Sequence, residues 1–204
     1  EYFDYYLLHS LQDKSFKTAE KLKAFDFVMQ KKAEGKVKKI GFSFHDSADV
    51  LDKILKAHPE MEFVQLQINY LDWESNNVQS RKCYETALKY GKEIIVMEPV
   101  KGGALMNLPE EAQKAFDAVG SGSNASYAIR FAADPENMVM VLSGMSTQEQ
   151  MEDNLRYMEN YQHLTAEDKD IIDRVRTIYQ GQHRIPCTAC RYCVDGCPAG
   201  IPIP

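Results

Sequence analysis

Apolar and polar positions alternate along this chain with two different periods, and the two periods take turns. Tyr2 to Leu8 is a short, nearly continuous apolar run, the pattern of a strand buried on both faces in a parallel sheet. Leu22, Phe25, Val28 and Met29 then fall on one face of a helix predicted over roughly 18–34, with Gly35 as its stop. VKKIGFSF (37–44) predicts a second strand. The helix after it opens at Asp46 or Ser47, turns Val50, Leu51, Ile54 and Leu55 inward, and has Pro59 beyond its end. EFVQLQI (62–68) reads as a third strand, followed by a helix around 78–90, and EIIVM (93–97) as a fourth. Two helices near 109–118 and 123–133 lead to a fifth strand, MVMVLS (138–143). The next helix starts at Thr147, where Thr147-x-x-Gln150 has the capping-box pattern, and directs Met151, Leu155 and Met158 inward. A last helix, over 165–180, uses Ile171, Ile172, Val175 and Ile178.

Five strands, each followed by helix, predict an α/β fold of βα units around a parallel sheet. Two architectures fit: a five-stranded doubly wound sheet, or five consecutive units of an eight-unit βα barrel, which normally takes about 250 residues. Periodicity does not choose between them. The chain enters a strand at residue 1 and ends in IPIP, so residues are expected to be missing from both ends. Its 204 residues, 44% of them hydrophobic, suffice for one well-buried domain with a small appendage. Composition shifts only after Arg184, which separates residues 1–184 from a Cys/Pro/Gly-rich tail at 185–204. No stretch approaches the length of a membrane span, and EYFDYYLLHS lacks the basic start and cleavage site of a signal peptide, so a cytoplasmic protein is expected. With 24 Lys and Arg against 30 Asp and Glu, the net charge of −6 argues against a nucleic-acid partner.

In either architecture ligands bind at the carboxyl ends of the strands, and here those ends are polar. The first ends in His9, the second in Ser43 with His45 just after it, the fourth in Glu98, the fifth in Ser143. In the third, Gln65, Gln67 and Asn69 share one face; they read as interior hydrogen-bonding glue or as part of a shared site. An imidazole at His9 is placed to donate to a substrate oxygen, and His45 could do the same. Two loops suit phosphate. Ser143 to Thr147 runs into a helix N-terminus, and Pro99-Val100-Lys101-Gly102-Gly103 joins flexible backbone to a cation. His58, His163 and His183 lie in or beside helical segments and are expected to be solvated. Cys83 reads as a small buried hydrophobe.

In order, DYYLLH, IGFSFH, FVQLQINYLD, VMEPVKGGAL and VLSGMSTQEQMEDNL resemble the second part of an aldo/keto reductase, a family of βα barrels that move hydride between NAD(P)H and a carbonyl or alcohol. The resemblance covers residues 1 to 156 and implies that the five units are the family's fourth to eighth. It implies His9 as the catalytic histidine, and Ser43 and Gln65 as holding the nicotinamide carboxamide. Val100, Lys101, Gly102 and Gly103 match the pyrophosphate loop, and Gly144, Gln150, Asp153 and Asn154 the segment at the adenosine end. The family's proton-donating tyrosine, with the aspartate and lysine that tune it, belongs to the first three units and has no counterpart here. Gln150 stands where NADPH-preferring members tend to have arginine, which leaves NADH and NADPH both open.

Cys187-x2-Cys190-x2-Cys193-x3-Cys197-Pro198 has the spacing of the bacterial ferredoxin run that binds a 4Fe-4S cluster. Structural zinc sites more often pair two short knuckles across a longer connection, and a disulfide framework does not suit a reducing compartment. Either Cys197 closes the same cluster or further cysteines lie beyond Pro204. The tail is similar to that of a subgroup of aldo/keto reductases with a C-terminal ferredoxin-like segment. The whole therefore reads as an incomplete TIM (βα)8-type barrel of about five βα units with an iron-sulfur tail. Its expected activity is NAD(P)H-dependent oxidoreduction of a small carbonyl or alcohol, with a possible electron-transfer partner. The alternatives are a non-catalytic nucleotide-binding redox sensor or scaffold with a structural cluster, and a zinc-stapled doubly wound domain.

Overall fold

A computed structural model describes residues 1–120, 122–182, 194, 197–199 and 201. Among these residues five strands alternate with eight α-helices: β1 (Phe3–Leu11), α1 (Asp13–Lys21), α2 (Ala24–Ala33), β2 (Val37–Phe44), α3 (Ala48–Ala57), β3 (Phe63–Gln67), α4 (Ser80–Lys89), β4 (Glu93–Met97), α5 (Glu110–Val119), α6 (Asn124–Ala133), β5 (Met138–Val141), α7 (Gln148–Met158) and α8 (Ala166–Gly181). All strand pairs are parallel, and their spatial order is β1-β2-β3-β4-β5. A doubly wound sheet reverses its strand order at a switch point. This sheet never reverses, which is the sequential winding of a βα barrel and rules out the doubly wound alternative. Among the described residues the sheet is open, with β1 and β5 as its edges.

The alternation within each strand divides the two faces. Ile40, Phe42, Phe44, Val64, Leu66, Ile94 and Val96 are buried against Phe25, Val28, Leu51, Ile54 and Leu55 of the helical layer. The opposite face carries Lys39, Gly41, Ser43, Phe63, Gln65, Gln67, Glu93 and Met97. There the register sets Gly41 beside Phe63, Ser43 beside Gln65 and Gln67 beside Met97. Gly41 is required: a Cβ there would run into the Phe63 carbonyl oxygen and ring. A second core joins α5, α6 and α8 to the turn after β3 through Tyr70, Leu105, Phe116, Tyr127, Ile172 and Val175. Phe116 and Tyr127 stack with ring centroids 4.1 Å apart.

Several expectations are corrected. The single helix over 18–34 is two, broken where Lys23 takes a left-handed backbone (φ 56°). The break lets Phe16 of α1 and Phe25 of α2 meet edge to face in the core, and it leaves Leu22 and Met29 exposed rather than inward. Among the described residues β1 is an edge and is not buried on both faces: Phe3 is 63% exposed and Tyr6 37%. Along the other edge Val139 and Met140 of β5 are exposed, and Met151 and Leu155 of α7, expected inward, are exposed as well. His58 is not solvated. Its ring stacks on Phe25 at 3.5 Å, and its two nitrogens reach Glu60 (2.8 Å) and Glu20 (2.5 Å).

Candidate active site

The ends of β1, β2 and β4 lie near one another. β1 and β2 pair in register to Leu8 and Phe42, then slip by one residue before Leu11 meets Phe44. The inserted residue falls beside His9, and bulges of this kind re-aim side chains at strand ends. Ser10 takes a left-handed φ of 55°, and its N–H donates to the buried Ser43 Oγ at 2.7 Å. His9 itself is exposed. His45 follows β2. Burial first, and then the nearby His9, hold its imidazole below the ordinary value, against an opposing pull from Glu98. Groups from the ends of β1, β2 and β4 therefore sense one another.

The amides of β3 are all engaged. Gln65 Nε2 lies 3.4 Å from Met97 Sδ, and Gln67 Nε2 donates to Asp72 Oδ2 at 2.8 Å. Asn69, wholly buried, donates to Asp72 Oδ2 (2.8 Å) and to the Glu98 carbonyl (3.1 Å). Its Oδ1 accepts from the N–H groups of Leu71 and Asp72, which folds the turn around it. Asp72 is 5% exposed, and its other oxygen accepts from Lys101 Nζ at 2.6 Å. Sequence reasoning missed Asp72. The available signal was the spacing Asn69-x-x-Asp72 directly after a strand of alternating amides.

The two phosphate-type loops form one cleft of about 640 Å³, whose lining includes Val100, Gly102, Gly103, Gly144, Gln150 and Asn154. Glu98, just before the first loop (φ 57°), and three residues of that loop, Lys101 (49°), Gly102 (58°) and Gly103 (89°), have left-handed backbone. For Glu98 and Lys101 this is a costly conformation of the kind that collects at ligand sites. Among the described residues, the N–H groups of Val100 and Gly102 find no backbone acceptor, whereas those of Lys101, Gly103 and Ala104 bond within the turn. At the second loop, Thr147 Oγ1 accepts from the Gln150 N–H, and Gln150 Oε1 reaches back to the N–H of Ser146. The expected capping box thus closes one residue early. A neighbouring cleft of about 490 Å³ shares Gln150 and Asn154 and adds Ser123, Asn124 and Asp153. Asp153 Oδ2 accepts from Ser123 Oγ at 2.5 Å. Asn154 donates to Ser143 Oγ at 2.7 Å and accepts from the Tyr157 hydroxyl.

A family model of the aldo/keto reductases matches residues 1–177. The chain belongs to the aldo/keto reductase family. Its fold is similar to that of several solved aldo/keto reductases. Against AKR11C1 from Bacillus halodurans in its holo form the TM-score is 0.62 at 20% identity, covering 85% of this chain and 61% of that one. Against the Klebsiella pneumoniae enzyme solved with NADP and acetate it is 0.63 at 17% identity, covering 90% and 61%. Against the Brucella melitensis enzyme it is 0.62 at 20% identity, covering 85% and 61%. This chain thus spans less than two thirds of the length of these relatives. No curated protein matches it.

Set in this fold, the expected site residues do not all gather in one place. Val100, Gly102, Gly103, Gly144, Gln150 and Asn154 line one cleft, and Asp153 lines the next. His9 and Ser43 lie near the ends of β1 and β2 and Gln65 in the middle of β3, all outside the lining of both clefts. Lys101, expected to offer a cation to phosphate, does not line the cleft and is held by Asp72 instead. Cys187, Cys190 and Cys193 lie outside the described residues. Cys197 is half-buried, and its N–H donates to the Val194 carbonyl at 3.1 Å. Among the described residues no cluster of His, Cys, Asp and Glu could hold a metal, and no helix is long and apolar enough to cross a membrane.

Proposed function

We propose that this chain forms the dinucleotide-binding part of an NAD(P)H-dependent oxidoreductase that transfers hydride to or from a small carbonyl or alcohol. The observation that carries the reading is the cleft between two anion-suited loops, one with unpaired backbone N–H groups and the other at the N-terminus of α7. A nicotinamide dinucleotide would supply the hydride. Val100 and Gly102 hold its pyrophosphate through backbone N–H groups, and Gly103 lines the same loop without a side chain, so the glycines serve close approach as well as turn geometry. Gly144, Gln150, Asp153 and Asn154 take the adenosine end, and Ser43 and Gln65 orient the carboxamide. His9, exposed at the end of β1 and near His45, hydrogen-bonds the substrate oxygen and fixes the carbonyl for transfer. The Klebsiella relative was solved with NADP, which supports a dinucleotide in this fold. Titration with NADH and NADPH, followed by turnover on a panel of small carbonyls, tests the reading. Binding without turnover would favour a non-catalytic nucleotide sensor.

The cysteine run extends the proposal to a 4Fe-4S cluster on Cys187, Cys190, Cys193 and Cys197. Four thiolates at these spacings are a donor set suited to such a cluster, which would pass single electrons to an external redox partner. Iron, acid-labile sulfide and zinc are measured after anaerobic purification. About four irons and four sulfides per chain support the cluster. Zinc, or no metal after reconstitution, removes it and leaves a plain reductase.

A further inference from the structure

We propose that Asp72 is a positioning residue for the dinucleotide, acting through Lys101 to set the backbone of the loop that meets the pyrophosphate. This rests on the cleft being a dinucleotide site. Asp72 is nearly sealed from solvent, and one carboxylate oxygen is occupied by the amides of Gln67 and Asn69. The other faces Lys101 Nζ at 2.6 Å. A carboxylate buried this deeply needs a compensating cation, and among the described residues its ion pair is with Lys101. Were the ammonium to leave for a phosphate, Asp72 would keep two neutral donors and no counter-charge. Lys101 therefore stays on Asp72 when ligand is bound.

The consequence is that Lys101 acts as a tether. Its own φ of 49° is left-handed, a conformation that a residue with a Cβ resists. One residue after β4, the Glu98 carbonyl is tied to Asn69, and three residues further on Lys101 is tied to Asp72. Both ties come from the single turn after β3. They hold the strained segment that carries the unpaired N–H group of Val100 and fix the residue directly before that of Gly102. Recognition then falls to oriented backbone dipoles, with no mobile cation involved.

The test is a double-mutant cycle on the dissociation constants of NADH and NADPH, using Asp72→Asn, Lys101→Met and both together in the full chain. Each single change should weaken both dinucleotides by about tenfold, the size of one lost charge-assisted bond. The double variant should be no weaker than either single, because the two residues act as one device. Asp72→Asn removes the buried charge and leaves a partly exposed lysine to solvent, so it is expected to fold even if Lys101→Met, which strands the carboxylate, does not. In folded Lys101→Met the ionic-strength dependence of binding should match the unaltered protein's, as no phosphate-contacting cation has gone. A flattened salt dependence, multiplicative losses, tighter binding by Asp72→Asn, or unchanged constants would each overturn the proposal. If the unaltered protein binds neither dinucleotide, the reading of the cleft fails, and this proposal fails with it.

Discussion

Replacing Asn69 by alanine removes the hub on which the turn after β3 is built. The side chain makes four hydrogen bonds: to Asp72 Oδ2 at 2.8 Å, to the Glu98 carbonyl at 3.1 Å, and from the N–H groups of Leu71 and Asp72 at 3.1 and 2.9 Å. These four are not equivalent. Glu98 is exposed, so its carbonyl can turn to water at little cost. Leu71 and Asp72 are buried, and each N–H left without an acceptor costs about 1–3 kcal/mol. Asp72 would also lose one of three donors while remaining buried. The expected loss is about 3–5 kcal/mol, at the upper end for a point substitution. Urea unfolding followed by circular dichroism measures it as a lower midpoint with an unchanged slope. A loss below about 1 kcal/mol would mean that water replaces the amide, and that the turn is not the rigid anchor described.

Other outcomes follow from single groups. Tyr70 is wholly buried, its hydroxyl has no hydrogen-bond partner among the described residues, and burial raises its pKa. Tyr70→Phe should therefore stabilise the fold by about 1 kcal/mol, read by the same unfolding assay; a loss of stability would reveal a hidden partner. Gln150→Arg places a cation at the start of α7 beside the proposed adenosine end. The ratio of NADH to NADPH dissociation constants should move about tenfold toward the phosphorylated dinucleotide. His45 has its folded pKa lowered from 6.5, so the unfolded chain takes up that proton first as pH falls. Its contribution is thus neutral above 6.5 and becomes destabilising below it; imidazole NMR titration should give an inflection below the free value that rises in His9→Gln. Burial pushes the Cys83 thiol up to about 12, so peptide mapping after alkylation at mildly alkaline pH should find it unmodified until the protein is unfolded.

Strand positions were the most legible part of the chain. Val37–Phe44 and Glu93–Met97 are found where the apolar runs placed them, because a buried parallel strand has a dense apolar signature bounded by turn residues. The helical pattern told which side of α7 is apolar but not what lies against it, so Met151 and Leu155 were assigned to a core that these residues do not reach. Lys23 shows another limit. A left-handed break between two good helical stretches is dictated by Phe16 and Phe25 sharing a core, which no local propensity records. At the site, glycines and strand-end residues were readable from their types. Asp72 was not, because a carboxylate in a turn ordinarily faces water. Its burial depends on a lysine 29 residues away. His58 was misread for the same reason, since its glutamate partner Glu20 stands 38 residues before it.

The account turns on whether the cleft between residues 98–105 and the start of α7 holds a nicotinamide dinucleotide. Calorimetric titration of the protein with NADPH and with NADH, repeated on Gly102→Val, asks this directly. The account predicts saturable one-site binding of at least one dinucleotide, lost when a β-branched side chain is forced onto the left-handed backbone of residue 102. No saturable binding to the folded protein, or binding that Gly102→Val leaves unchanged, would contradict it.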